Sequence, residues 1–158
     1  MNPIRVYIAS PYSVGNKVEN VRRSLEIADK LIEAGMFPYS PLLNHYQNEL
    51  FPQPEKTWLK QDLAWIPCCQ CLLRLPGESV GADVEVAEAK NLGIDVFYDI
   101  EELFFCVACS WKSLEEKKRV ALLQKVVDRL NAKFAEHDIE GGISANYRDL
   151  ILETKLEA

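Results

Sequence analysis

The chain has no apolar run approaching the roughly 20 residues that a membrane-spanning helix needs. Its N-terminus also lacks a secretory signal pattern. Both absences are read as excluding a membrane span and export. Glycine and proline are scarce, at 7 and 8 of 158 residues, and charged residues reach 27%, which excludes a low-complexity or disordered chain. Basic side chains are outnumbered 18 to 24, for a net charge of −6. A binder of nucleic-acid polymers would need a dense basic face, so that class is excluded. A small anionic ligand in a local pocket is not. Histidine is limited to 2 residues. Cysteine, at 5, is odd in number, which with no export signal reads as reduced thiols in a cytoplasmic protein. Cys68, Cys69 and Cys71 lack zinc spacing, and neither histidine lies near the Cys106-x-x-Cys109 pair, so the thiols read as buried or idle and no metal is assigned.

What is present is a 48% hydrophobic chain, enough for one compact domain. Ile4 to Ala9 is a β-branched apolar run and predicts a buried strand. A small-residue turn, Ser10 to Asn16, leads into a helix on which Val18, Val21, Leu25, Ala28 and Ile32 share one face, with Gly35 as its stop. Phe37 to Ser40 predicts a short strand that Pro38 confines to an edge. Pro41 to Pro54 reads as loop, Glu55 to Ile66 as helix, Cys71 to Leu75 as strand. Pro76 to Ser79 is a turn, followed by a helix to about Leu92, closed by Gly93, and a strand from Asp95 to Tyr98. Val84, Ala87 and Leu92 are expected to pack that last helix on the sheet, and Glu101-Glu102 to lie on the surface.

Alternating strands and amphipathic helices predict an α/β domain, flavodoxin-like or Rossmann-like, with a mostly parallel sheet in three layers. The boundary is placed at residues 1–103, with 104–158 as a helical C-terminal extension. Phe104 to Cys109 is apolar without clear period. Ser113 and Glu116 form a capping box before a helix striped by Val120, Leu123, Val127, Leu130 and Phe134. That helix packs on its own sheet or forms a dimer interface. Asp138 to Gly142 breaks it before a short terminal helix within Asn146 to Leu156.

In parallel α/β sheets, ligands sit beyond the carboxyl ends of the strands, where strand order reverses. If the first and third strands are neighbours, the loop from Ser10 to Asn16 meets the loop from Pro76 to Gly81. The site is expected between them. Ser79 or Gly81 stands where the helix N-cap belongs, and the free N–H groups of the first turn make an anion site to which the Ser79 hydroxyl adds. Glu85 lies about one turn further in. Asp83 and Glu85 point roughly 200° apart on a helix, so they cannot form a tight pair. His45 and Trp58 offer a base or ribose contact and a pocket wall, against a solvated histidine and a core tryptophan. Lys17, Arg22 and Arg23 either steer a phosphate or form a solvated face.

Taken in order, these pieces resemble the nucleoside 2-deoxyribosyltransferase superfamily, with its nucleotide N-glycosidase relatives. The resemblance rests on Tyr7-Ile-Ala-Ser-Pro-Tyr-Ser13, on Asn20, Ala28 and Gly35, and on Trp58 with Asp62-Leu63. It continues through Leu72-Leu-Arg-Leu-Pro-Gly77, Ser79-Val-Gly-Ala-Asp-Val-Glu85-Val-Ala-Glu-Ala89 and Gly93-Ile-Asp-Val-Phe97. It covers roughly residues 4 to 103. It implies that Glu85 is a nucleophilic glutamate, with Tyr7 beside it and Asp62 in a region of acidic contacts to base or sugar. Ser10, Pro11, Tyr12, His45, Ser79, Gly81 and Asp83 are the expected substrate contacts. The implied ligand is a nucleoside or nucleoside 5′-monophosphate, with no cofactor, in a homodimer or higher homo-oligomer. One departure stands out: many relatives carry an Asp just before the third strand, where this chain has Gln70. Gln70 keeps open an alternative, a catalytically inactive nucleotide-binding or sensing module.

The residue types suit N-glycosidic chemistry. A carboxylate beneath the sugar traps the oxocarbenium-like centre as a glycosyl ester, and water or a second base then attacks the same face. Glu85 must be ionised for this, which the helix N-terminus is expected to favour.

Overall fold

In the computed structural model the described residues are 4–110, together with Gln124 and Asp128. Two compact units divide the chain, residues 1–100 and 101–158. The first holds four parallel strands, β1 (Arg5–Ala9), β2 (Phe37–Tyr39), β3 (Cys71–Arg74) and β4 (Asp95–Phe97), in the order β2-β1-β3-β4. Between them run α1 (Lys17–Glu33), α2 (Asn44–Leu50), α3 (Glu55–Trp65) and α4 (Val80–Asn91). The α/β class, the parallel sheet and the edge position of the Pro38 strand are therefore as expected. Strand order reverses between β1 and β3, which pair in register from Val6–Cys71 to Ala9–Arg74.

Side chains alternate across β1 and β3, and both faces are buried, as short apolar parallel strands require. Tyr7, Ala9 and Leu72 pack with Ala82, Val86 and Ala89 of α4, and with Ile66 and Cys69. Val6, Ile8 and Leu73 point the other way and are equally buried. The core face of α4 is thus Ala82, Glu85, Val86 and Ala89, while Val84, Ala87 and Leu92 lie outside it and are exposed. The helix turned because its small residues permit close approach to the strands and because a carboxyl group is taken inside with them.

The buried face of α1 is also rotated from the apolar stripe. Val21, Ser24 and Leu31 are buried; Val18 and Ile32 are exposed. Ser24 earns its place through a hydroxyl–hydroxyl hydrogen bond of 2.8 Å with Ser40. Arg22 is occupied by Glu19 and Glu26 on the exposed face, which leaves Lys17 as the member of the basic trio that reaches the cleft described below.

Residues expected as loop contain a 3-10 turn, Pro41–Leu43, and the helix α2. Its sequence, Asn-His-Tyr-Gln-Asn-Glu-Leu, buries no residue and so has no apolar stripe to betray it. Ile100–Ser110, which but for its first residue belongs to the second unit, is a helix, α5, rather than an aperiodic apolar stretch, and Leu103, Phe104, Val107 and Ala108 are buried along it. Glu101, expected at the surface, is buried too. The Ser113 helix and its stripe lie outside the described residues; Gln124 and Asp128 are helical and joined by a 2.8 Å side-chain hydrogen bond. Among the described residues no helix is long and apolar enough to cross a membrane.

Candidate active site

Two loops meet at the strand-order reversal. The β1–α1 loop is laced by Asn20, whose amide donates to the carbonyls of Tyr12 (3.1 Å) and Val14 (2.8 Å), while Asn16 caps α1 by accepting from the Glu19 N–H. The β3–α4 loop turns at Gly77, with φ +123°. A Cβ on Gly77 would lie 2.9 Å from Cγ of Pro11. Pro11 therefore locks the two loops together, and it does not line the cleft between them. Gly77→Ala meets both the backbone strain and the clash, so a loss of about 1–3 kcal/mol is expected in chemical denaturation, with Pro11→Ala relieving part of it in the double variant.

The cleft has a volume of about 430 Å³. Ser10, Tyr12, Ser79, Gly81, His45, Asp62 and Glu85 all line it, as do Lys17, Asn44, Asn48 and Trp58. Ser79 is the α4 N-cap: its Oγ accepts from the Ala82 N–H at 3.2 Å, which leaves its own O–H available to a ligand. His45 lies on α2, with Nδ1 2.8 Å from the Tyr12 hydroxyl. The Lys17 ammonium stands 5.2 Å from the centre of the Tyr12 ring. Trp58 is a wall of the cleft rather than core. Its indole N–H donates to Asn48 Oδ1 at 2.7 Å, and the Gln53 N–H donates to the same oxygen at 3.0 Å. His45 is where the sequence leads one to expect it, whereas Asn44 and Asn48 give no signal, because the polar residues of α2 have the composition of an ordinary surface loop.

Two carboxyl groups share the cleft. Glu85 is 6% exposed and comes from the buried face of α4. Asp62 is half-buried on α3, and its Oδ1 is buried with no hydrogen-bond partner. Burial pushes the Asp62 carboxyl up to about 6. Burial, and then the charge of Asp62, push Glu85 up to about 8, against the opposing influence of Tyr7 and Arg74. The ionised resting glutamate expected from the helix terminus is therefore not what burial favours: a proton stays with the pair at neutral pH. The two pKa values belong to the pair, which holds one proton between about pH 6 and 8.

Tyr7 is fully buried behind Glu85, not in the wall of the cleft. Its hydroxyl is close enough to Glu85 for each to shift the other, at a geometry looser than a regular hydrogen bond. Burial and the two carboxyls drive the phenol far above its ordinary range, so it stays protonated and can only donate to Glu85. Tyr7→Phe removes a buried hydroxyl without a regular partner, so folding stability is expected to change by less than about 1 kcal/mol. The Glu85 carboxylate loses a donor in the same variant and its pKa is expected to rise, which a carboxyl titration by NMR checks.

Asp83 is not brought to the cleft. It is largely exposed, and Oδ1 accepts from Arg74 Nη2 at 3.0 Å. Gln70 sits at the amino end of β3, where Oε1 accepts from the Arg5 backbone N–H at 2.8 Å. That is the opposite end of the strands from the cleft, so the departure at Gln70 removes no group from it.

Among solved structures the chain is similar to the 2-deoxyribosyltransferase of the psychrotolerant bacterium Bacillus psychrosaccharolyticus, with 20% identity, a TM-score of 0.42, and coverage of 58% of this chain and 69% of that one. No curated protein matches it. The model of one family matches residues 4–99, which span β1 to β4 and every residue of the cleft, and the chain belongs to that family, described as Domain of unknown function (DUF7768).

Proposed function

We propose that the chain cleaves or exchanges the N-glycosidic bond of a nucleoside or nucleoside 5′-monophosphate. The observation that carries this reading is a cleft of about 430 Å³ lined by the buried Glu85 and the half-buried Asp62, whose Oδ1 has no hydrogen-bond partner, with a buried phenol behind Glu85. The proton that burial favours on Glu85 in the free protein passes to Asp62 in the productive state, so that Glu85 is a carboxylate and Asp62 the acid. The bond from C1′ to the base nitrogen breaks as a bond from C1′ to a Glu85 oxygen forms, and the Asp62 proton passes to the departing base. Water or a second base then attacks C1′ from the same side. Glu85 leaves as a carboxylate, and the attacking group returns its proton to Asp62. Tyr7 holds the Glu85 carboxylate by donating to it.

A 5′-phosphate fits the wall formed by the first turn of α4, the Ser79 hydroxyl and Lys17. The reading extends to a cytoplasmic homo-oligomer acting on a small molecule, with no polymer or membrane as partner. A wet cleft favours hydrolysis and a dry one transfer.

Incubation with a panel of ribo- and deoxynucleosides and their 5′-monophosphates, with and without a second free base, tests this by chromatography of the products. Base release by the unaltered chain and none by Glu85→Gln is the expected result. Ligand binding with no base release in either protein contradicts catalysis and leaves a binding module. The rate is also expected to be bell-shaped in pH. Below about 6 both carboxyls are protonated and no nucleophile exists; above about 8 both are ionised and no acid remains.

A further inference from the structure

Arg74 ends β3 as a charged residue in a strand that is otherwise apolar. Its side chain is only 8% exposed. The guanidinium makes three hydrogen bonds within its own loop: Nη1 donates to the Leu75 carbonyl, and Nη2 donates to the Gly77 carbonyl at 2.8 Å and to Asp83 Oδ1 at 3.0 Å. These three acceptors belong to the strand end, the turn and the first turn of α4. A single planar group thereby ties the turn to the helix that carries Ser79 and Glu85. The cost of burying a cation here is met by one carboxylate partner that is itself 71% exposed. Water screens Asp83 far more than it screens Arg74, so the positive charge facing the interior is only partly cancelled.

We propose that Arg74 is a positioning residue for Glu85: its guanidinium braces the β3–α4 turn against the first turn of α4, the helix that carries Glu85, and its charge favours the Glu85 carboxylate, with Asp83 setting how much of that charge is left uncancelled. The inference rests on the reading of Glu85 as the nucleophile. It also accounts for Asp83, which points to solvent from the first turn of α4 and yet acts on the site through its partner. The other groups facing Glu85 act against or beside Arg74. Asp62 on α3 disfavours the carboxylate, Tyr7 on β1 favours it, and Arg74 favours it from β3.

The decisive feature of the test is a pair of opposite signs. A purely structural ion pair loses the same thing whichever partner is changed. A brace that also supplies charge does not. Arg74→Met removes the cation and is expected to raise the Glu85 pKa by about one unit. Asp83→Asn keeps an oxygen that accepts from Arg74 but removes the screening charge, so the Glu85 pKa is expected to fall, by about half a unit. Arg74→Lys keeps the charge and loses the fork; it is expected to leave the titration near that of the unaltered protein while slowing turnover at every pH.

The measurement is the titration of the Glu85 carboxyl carbon by NMR in protein labelled with 13C-glutamate, the signal being assigned by its disappearance in Glu85→Gln. Shifts of the same sign in Arg74→Met and Asp83→Asn, or no shift in Asp83→Asn, overturn the proposal. Should Arg74→Met fail to fold, Asp83→Asn decides alone, because its change is at an exposed position and preserves the hydrogen bond. Opposite shifts without base release from any nucleoside would sink the proposed reaction and leave the Arg74 assignment standing.

Discussion

Glu85→Gln is expected to abolish base release, by at least about a thousandfold, and at the same time to make the protein more stable at alkaline pH. The two effects come from one cause. Gln is nearly isosteric with a protonated glutamate, and burial already holds Glu85 protonated up to about pH 8. A carboxyl whose folded pKa lies above its unfolded value binds its proton more tightly in the folded state. Its cost to stability is absent below the ordinary carboxyl range, grows as pH rises through it, and is complete above about 8. The full cost is on the order of a few kcal/mol. Gln bears none of it. Thermal melts of both proteins at pH 5 and pH 9 should therefore nearly coincide at the lower pH and diverge at the higher, with the variant melting later. A glutamate that merely stabilised the fold would give the reverse: a variant that is less stable at pH 9 and loses nothing in turnover.

Asp62→Asn is the second large effect. Its buried Oδ1 has no partner in the protein, and burial raises its pKa, two properties that a proton donor needs and a structural carboxylate avoids. Loss of general-acid help is expected to slow release of an ordinary base by about a hundredfold to ten-thousandfold. A nucleoside analogue whose leaving group departs without a proton should lose far less. The alkaline limb of the pH profile should vanish with Asp62, since no second carboxyl remains to lose a proton. The Glu85 carboxyl should titrate lower, because the charge of Asp62 is one of the causes of its elevation. Equal losses for both kinds of substrate would instead mark Asp62 as a residue that only shapes the cleft.

Much of this geometry was legible in the chain itself. The β1 and β3 runs are apolar and short, Ser79 stands at an N-cap, and Gly35 and Gly93 close their helices with positive φ. Those signals alone place Glu85 on the helix that starts at the reversal point. Other features required the third dimension. Periodicity put Val84 and Ala87 against the sheet, but close packing of Ala82 and Ala89 turned the helix and drew Glu85 inward. His45 was legible as a ligand contact, but helix α2 carries no apolar stripe, so nothing in its composition announced a helix there or that Asn48 would line the cleft with it. The pairing of Arg74 with Asp83, nine residues apart across a turn, hides in a spacing that has no helical or strand meaning. The helix dipole favours an ionised Glu85, whereas burial and a second carboxyl outweigh that influence.

The most direct test is to catch the sugar on the protein. A nucleoside bearing fluorine at C2′ slows the second step more than it prevents the first, so a glycosyl ester should accumulate. Intact mass spectrometry is expected to show one added sugar per chain, and peptide mapping to place it on Glu85, with release on adding a free base. A free base formed with no adduct on Glu85, or an adduct carried by another side chain, would contradict the account.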